Sequence, residues 1–245
     1  MYVQVEREGV DDRVAAEEPL EIRVNDEPLA VTMRTPGHDE ELAAGFLWGE
    51  GLLEESPQVA LTEDLAANTV EVTARLRFDP GARSFYMTSS CGICGKGALE
   101  EVARRTPAIA GGPRVKRFLV AALPDRLRQP AFELTGGLHA AGIFNSEGEP
   151  LVVREDVGRH NALDKAIGRA LLDGELPLSE CLICVSGRLA FELVQKTALA
   201  GAPILVGVGA PTSLAISLAE DRGITLCGFA RGGAVNVYTH DGRID

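Results

Sequence analysis

The stretch Cys181-Leu182-Ile183-Cys184-Val185-Ser186-Gly187-Arg188-Leu189-Ala190-Phe191-Glu192-Leu193-Val194-Gln195-Lys196-Thr197-Ala198-Leu199-Ala200-Gly201-Ala202-Pro203-Ile204-Leu205-Val206-Gly207-Val208 decides the fold. It reads as a short apolar strand over 181–185, a helix over 189–200 and a second apolar strand over 204–208. Unbroken apolar runs of this length, bounded by Gly, Ser and Pro, suit strands buried on both faces. The alternation continues in both directions. A strand over 151–154 and a helix over 161–172 precede it. A helix over 213–221, a strand over 224–229, a turn at Arg231-Gly232-Gly233 and a strand over 234–238 follow. This order predicts a mostly parallel sheet flanked by helices, with an antiparallel edge from the final hairpin. Ligands in such a sheet belong at the C-terminal ends of the strands.

Towards the N-terminus the pattern changes. Leu20 to Val24 and Leu29 to Met33 flank Asn25-Asp26-Glu27-Pro28 as a hairpin, and Thr35-Pro36-Gly37 stops its second strand. Asp39 to Trp48 places Leu42, Ala43, Phe46 and Leu47 on one helical stripe, ended by Gly49 or Gly51. A weaker strand pair falls around Val70 to Phe78, and a helix-like run covers Ala98 to Arg105. Gly111-Gly112-Pro113 marks the seam, dividing the chain into a smaller N-terminal α/β unit, 1–110, and a C-terminal α/β portion, 111–245.

With 245 residues, 45% of them hydrophobic and 24% charged, the chain has the composition of an ordinary globular protein with a substantial core. The start, Met1-Tyr2-Val3-Gln4-Val5-Glu6-Arg7-Glu8, is not a secretory leader, and no run approaches the roughly 20 apolar residues that cross a bilayer. A cytoplasmic location with no membrane role is the expectation. A formal charge of −12 speaks against non-specific nucleic-acid binding, which depends on Lys and Arg at phosphates. Five cysteines without a leader call for reactivity or burial rather than disulfides.

Cys91-Gly92-Ile93-Cys94 is the sharpest local feature. The spacing suits a redox couple, half of a zinc site or a sulfur carrier. A zinc site would need more ligands, but Cys181 and Cys184 lie three apart in a strand and point to opposite faces, so buried core positions suit them better. Gly137-Leu138-His139-Ala140-Ala141 is similar to the His-Ala-Glu motif of zinc deaminases. Ala141 stands where the general acid/base carboxylate would be, and the cysteines precede the histidine. His139 is therefore either a ligand or a structural histidine at a strand end. For thiol chemistry the context favours thiolate: a helix N-terminus follows and Lys96 is near. Gly92, Gly95 and Gly97 suit a loop that presents a persulfide; an unreactive pair is the bland alternative.

A dense polar run, Arg154-Glu155-Asp156-Val157-Gly158-Arg159-His160-Asn161-Ala162-Leu163-Asp164-Lys165, falls where a strand meets a helix. Capping by Asp156 or Asn161 and a solvated charged face account for about half of it, and least well for Arg159 and His160. Ser186-Gly187-Arg188, Gly207-Val208-Gly209-Ala210-Pro211-Thr212-Ser213 and Phe229-Ala230-Arg231-Gly232-Gly233 follow three further strands. Singly each is a turn. Together their glycines and arginines suit an anion, without matching a Walker or dinucleotide fingerprint.

Taken with Val24-Asn25-Asp26-Glu27-Pro28, Thr35 to Leu42, Gly45-Phe46-Leu47, Ser89 to Gly95, Thr135 to Ala141 and Gly228 to Gly232, these segments resemble the formate dehydrogenase accessory sulfurtransferase family (FdhD) over nearly the whole chain. The resemblance implies a homodimeric cytoplasmic protein whose C-terminal portion has a deaminase-like three-layer fold. Such a protein takes sulfur from a cysteine desulfurase and passes it to the molybdenum bis(molybdopterin guanine dinucleotide) cofactor before that cofactor enters formate dehydrogenase. On matching positions Cys91 would carry the persulfide and Cys94 would assist. Phe229, Ala230, Arg231, Gly232, Gly233 and Ala234 would match the cofactor-binding segment. The guanine and phosphates would lie near Arg159, His160, Ser186, Gly187 and Arg188, and no resident metal is expected. A cofactor-binding chaperone without sulfur transfer and a thiol oxidoreductase are the rival readings.

Overall fold

A computed structural model describes residues 1–61, 68–78, 85–86 and 106–245. The cysteine loop and the helix expected over Ala98 to Arg105 lie outside the described residues. The chain opens with an antiparallel hairpin, β1 (Tyr2–Arg7) and β2 (Val10–Ala15), on which the sequence reading placed no element. Glu8 and Gly9 both take positive φ at its tip, the two-residue turn whose twist matches paired strands. The next hairpin, β3 (Glu18–Val24) and β4 (Glu27–Arg34), turns the same way at Asn25 and Asp26. Helix α1 (Asp39–Gly49) follows, then β5 (Gln58–Leu61), β6 (Thr69–Thr73) and β7 (Phe85–Tyr86).

These strands form a sheet in the order β5-β6-β3-β4-β7. Over 68–78 there is one strand rather than the expected pair; it pairs with β3 on one side and β5 on the other. Leu20, Ile22, Val70 and Val72 line one face of the sheet and close on Leu42, Phe46 and Leu47 of α1, making one core.

The C-terminal portion contains α2 (Arg117–Ala122), α3 (Pro130–Thr135), β8 (His139–Phe144), β9 (Pro150–Asp156), α4 (Arg159–Leu172), β10 (Leu182–Val185), α5 (Phe191–Leu199), β11 (Ile204–Gly207), α6 (Ser213–Arg222), β12 (Thr225–Arg231) and β13 (Ala234–Val237). Its sheet runs β13-β12-β11-β10-β8-β9. Parallel pairing is confined to β10, β11 and β12, while β8, β9 and β13 pair antiparallel, so the sheet is mixed where the sequence predicts mostly parallel pairing. The difference is β8. A strand followed by a tight return to β9 enters the sheet beside β10 in the opposite direction.

The α/β class and the three layers hold. Ile143, Ile183, Val185, Leu205 and Leu226 meet α4, α5 and α6 on one face. Phe144, Leu182, Cys184, Ile204, Val206 and Cys227 meet α2 and Leu123 on the other. Cys181 and Cys184 do point apart, since Cys181 packs against the first core and Cys184 lies in the second. Burial pushes the Cys184 thiol well up and that of Cys227 up to about 12, so both are inert apolar fillers.

The two sheets are joined by α1 on α4, backbone against backbone. A methyl group on Gly45 would lie 1.8 Å from the Asp164 carbonyl oxygen, and one on Gly168 would lie 1.8 Å from that of Glu41. Only glycine permits this crossing. Around it, Arg154 grips Glu41 through both Nε and Nη2, and buried Lys196 lies 2.9 Å from Asp164 and 3.4 Å from Glu50. Trp48 donates its indole N–H to Leu199 O.

Candidate functional site

One edge of the six-stranded sheet collects the polar loops. Strands β9, β10, β11 and β12 end there at Asp156, Val185, Gly207 and Arg231, and β8, running the other way, begins there with His139. The loops are joined by backbone hydrogen bonds: Gly209 N donates to Gly187 O at 3.0 Å, and Phe229 N donates to Gly209 O at 3.1 Å. A side chain on Gly209 would meet Arg188 Cα at 2.9 Å, so glycine lets the second and third loops lie together.

The polar run after β9 divides into a structural half and an unspent half. Asp156 is fully buried and lies 2.7 Å from Lys165 Nζ. It also accepts from Thr35 N, Gly158 N and Asn161 Nδ2, while Lys165 donates to Thr35 O and Asn161 to Met33 O. This network satisfies a buried ion pair on all sides and ties the Thr35-Pro36-Gly37 turn to the site edge. Glu155 is likewise spent, accepting from Ala131 N and Phe132 N at the start of α3.

Arg159 and His160 stand apart from that network. They open α4, whose N-cap, Gly158, provides no side-chain cap, so first-turn N–H groups and the positive end of the helix face the site. Arg159 Nε and His160 Nε2 are buried without a hydrogen-bond partner among the described residues. Helix α5 begins nearby at Phe191, also without a side-chain cap, whereas α6 is capped by Thr212.

His139 sits against this pair. Its Nδ1 lies 3.5 Å from Ser186 Oγ, and that hydroxyl accepts from Ala140 N at 2.9 Å. A methyl on Gly187 would fall 3.5 Å from Arg159 Cδ and 3.6 Å from His139 Nδ1, so the glycine forms the floor between them. Burial first, then the Arg159 charge, lowers the His139 pKa. Burial, Lys196 and Arg159 hold His160 down at about 3. Both rings are neutral near pH 7, leaving Arg159 as the fixed positive charge of this corner.

Arg188 is exposed at the end of the second loop. On the fourth, Phe229 is 39% exposed and takes φ +54, a conformation that costs a bulky residue energy. A register shift between Gly228 and Arg231 accompanies it. Ala230 is buried, and Arg231, Gly232, Gly233 and Ala234 extend past the sheet edge as an exposed turn. Its glycines take φ +57 and +78 with open space around them. Every strand-end residue expected at the site is thus on this edge, with Arg159 following β9 and the Phe229 turn on β12, four positions away in the strand order.

Cys91 and Cys94 lie outside the described residues. Glu192 was missed by the sequence reading: its carboxylate comes within 3.9 Å of His160 Nε2. An acidic residue in the first turn of a helix carries no signal beyond the helix start. Among the described residues no group of three or more His, Cys, Asp and Glu could hold a metal ion, and no helix is long and apolar enough to cross a membrane.

The geometry has counterparts elsewhere. A sulfur carrier protein FdhD from Streptomyces avermitilis is 50% identical over 95% of this chain and 89% of its own length. One from Sulfurisphaera tokodaii is 44% identical over 99% of this chain and 96% of its own. The solved structure of a formate dehydrogenase accessory protein from Desulfotalea psychrophila superposes with a TM-score of 0.80 at 27% identity, covering 100% of this chain and 98% of that one. With residues 15–245 matching the family model as well, the chain belongs to the FdhD/NarQ family.

Proposed function

We infer that this chain is a sulfur carrier that serves formate dehydrogenase, holding sulfur as a persulfide on Cys91 and a guanine dinucleotide cofactor on the strand-end edge. The observation that carries the second half is the unspent polar corner. Arg159 is buried at Nε with no hydrogen-bond partner among the described residues, at an uncapped helix start, beside a glycine floor. Such a corner suits a phosphate, whose oxygens accept from guanidinium and backbone N–H together. Across the edge, exposed Phe229 offers a ring for a base to stack on, and the open Gly232-Gly233 turn lets a phosphate chain approach backbone. The sulfur carrier proteins among its relatives support the carrier role.

The sulfur step follows from thiol chemistry. Cys91 thiolate attacks the outer sulfur of the persulfide on a cysteine desulfurase; the new S–S bond forms as the donor thiolate leaves. Cys94 assists release to the molybdenum bis(molybdopterin guanine dinucleotide) cofactor, which is cargo bound for formate dehydrogenase. The reading places the protein in the cytoplasm as a homodimer.

Intact-mass spectrometry after incubation with a cysteine desulfurase and cysteine tests the carrier. A gain of about 32 Da per sulfur, lost in Cys91→Ala, is expected. No gain in the unmodified protein would leave a cofactor-binding chaperone. A reversible Cys91–Cys94 disulfide that exchanges electrons with a reductant, without a sulfur adduct, would indicate a thiol oxidoreductase.

A further inference from the structure

We propose that Glu192 is a specificity residue of the strand-end site, and that its carboxylate reads the 2-amino-4-oxopyrimidine edge that guanine and a pterin share. The inference rests on the cofactor site proposed above and names which end of the ligand meets which residue. Glu192 lies in the first turn of α5, and its carboxylate comes within 3.9 Å of His160 Nε2. The side chain is 23% exposed, so most of it is buried beside the Arg159 corner. The contact with His160 is too long for a hydrogen bond, and Glu192 has no other ion pair or hydrogen bond among the described residues.

The neighbouring carboxylates are all engaged. Asp156 is held by Lys165 and three N–H donors, Glu155 by the backbone at the start of α3, and Asp164 by Lys196. His160 offers Glu192 no charge, because burial, Lys196 and Arg159 keep its ring neutral near pH 7. A carboxylate that is mostly buried and lacks donors is costly. A ligand that brings donors to it binds with charge-assisted hydrogen bonds.

Charge sets the orientation. Glu192 repels a phosphate and Arg159 attracts one, so the two poles of this corner sort the ends of a ligand. Strand β10, which leads into α5, lies between β9 and β12 in the sheet, so Glu192 stands along the edge between Arg159 and the Phe229 ring. An ionised carboxylate accepts two parallel N–H bonds when the donors are adjacent, as it does from a guanidinium. The amino group and ring N–H of a 2-amino-4-oxopyrimidine are adjacent in this way. Hypoxanthine lacks the amino group, and adenine presents an acceptor where the ring N–H would be. One arm of a molybdopterin guanine dinucleotide carries the edge at both ends, on its guanine and on its pterin.

Calorimetric titration of the full chain with guanosine, inosine and adenosine diphosphates, and with neopterin as the pterin probe, tests this. If Glu192 reads guanine, the unmodified protein should bind guanosine diphosphate about 10- to 100-fold more tightly than inosine diphosphate, the difference of one charged hydrogen bond. E192Q should erase that preference, since an amide cannot accept two N–H bonds, whereas Arg159→Ala should weaken all the diphosphates together. If Glu192 reads the pterin, E192Q should weaken neopterin about tenfold or more and leave guanosine diphosphate unchanged. An E192Q chain that binds both guanosine diphosphate and neopterin as the unmodified protein does would overturn the inference and leave the cofactor site standing. An unmodified chain that binds no diphosphate and no neopterin would strike the cofactor site itself, and the inference with it.

Discussion

Replacing Gly45 or Gly168 by alanine should destabilise this protein, although the same change in an exposed helix stabilises by about 1 kcal/mol. The added methyl would lie 1.8 Å from a carbonyl oxygen of the facing helix in each case. Ordinary carbon–oxygen contact is about 3.3 Å, so α1 and α4 must separate by about 1.5 Å. Both clashing partners are helix backbone, with no flexible side chain to give way. Overpacking of this kind costs about 1–3 kcal/mol, here at the upper end, leaving a net loss of about 2 kcal/mol after the propensity gain. For a chain of this size that lowers the melting temperature by about 4–8 °C. The double variant should cost less than the sum, because one separation relieves both clashes. Urea unfolding read through Trp48, the lone tryptophan, is the assay, since its indole bridges α1 to Leu199. A midpoint at or above the unmodified value for either variant would refute the close crossing.

Arg159→Ala should weaken binding of guanosine diphosphate by about 10- to 100-fold, the loss of a charged hydrogen bond, with little change in melting temperature; calorimetric titration measures it. Phe229→Gly should move two quantities in opposite directions. Relief of φ +54 stabilises the fold by about 1 kcal/mol, while loss of the ring weakens nucleotide binding about tenfold or more, read by urea unfolding and titration. His160 predicts a pH dependence. Its imidazole is held at about 3 in the folded chain against 6.5 unfolded, so unfolding takes up a proton between those values. The stability is fully present above pH 6.5 and is lost as pH falls, by roughly 2–3 kcal/mol at pH of about 4.5. His160→Gln should flatten that slope in urea midpoints; an equal slope in both proteins would contradict the neutral, buried ring.

Strand–helix alternation from Leu151 onward made the class and most of the C-terminal elements legible, because central strands and amphipathic helices have different apolar periods. Strand β8, on which the sequence reading placed no element, and its direction were not legible. Gly142-Ile143-Phe144 in β8 and Ile183-Cys184-Val185 in β10 are alike as apolar runs, and only the short return to β9 makes β8 antiparallel. The first hairpin escaped for a different reason. Its valines alternate with Gln, Glu and Asp as a half-buried strand would, but they are exposed and join none of the core clusters, so the alternation marks no core face. The gathering of the glycine- and arginine-bearing loops was legible in outline because they recur after consecutive strands, and topology then forces those loops onto one edge.

What composition could not do was separate the two halves of Arg154 to Lys165. Asp156, Asn161 and Lys165 spend their hydrogen bonds on Met33, Thr35 and one another, residues more than a hundred positions apart in the chain. Arg159 and His160 each keep a nitrogen without a hydrogen-bond partner among the described residues. A polar residue is structural or available according to whether distant backbone meets it, and the crossing of α1 and α4 at Gly45 and Gly168 decides that here. By bringing the Thr35 turn to Asp156, it fixes the residues on both sides of Arg159 and leaves that guanidinium facing the strand ends. The same two glycines that set stability therefore set the site, and Gly168→Ala should weaken nucleotide binding as well as the fold. A variant that lost stability but bound guanosine diphosphate normally below its melting temperature would separate the two.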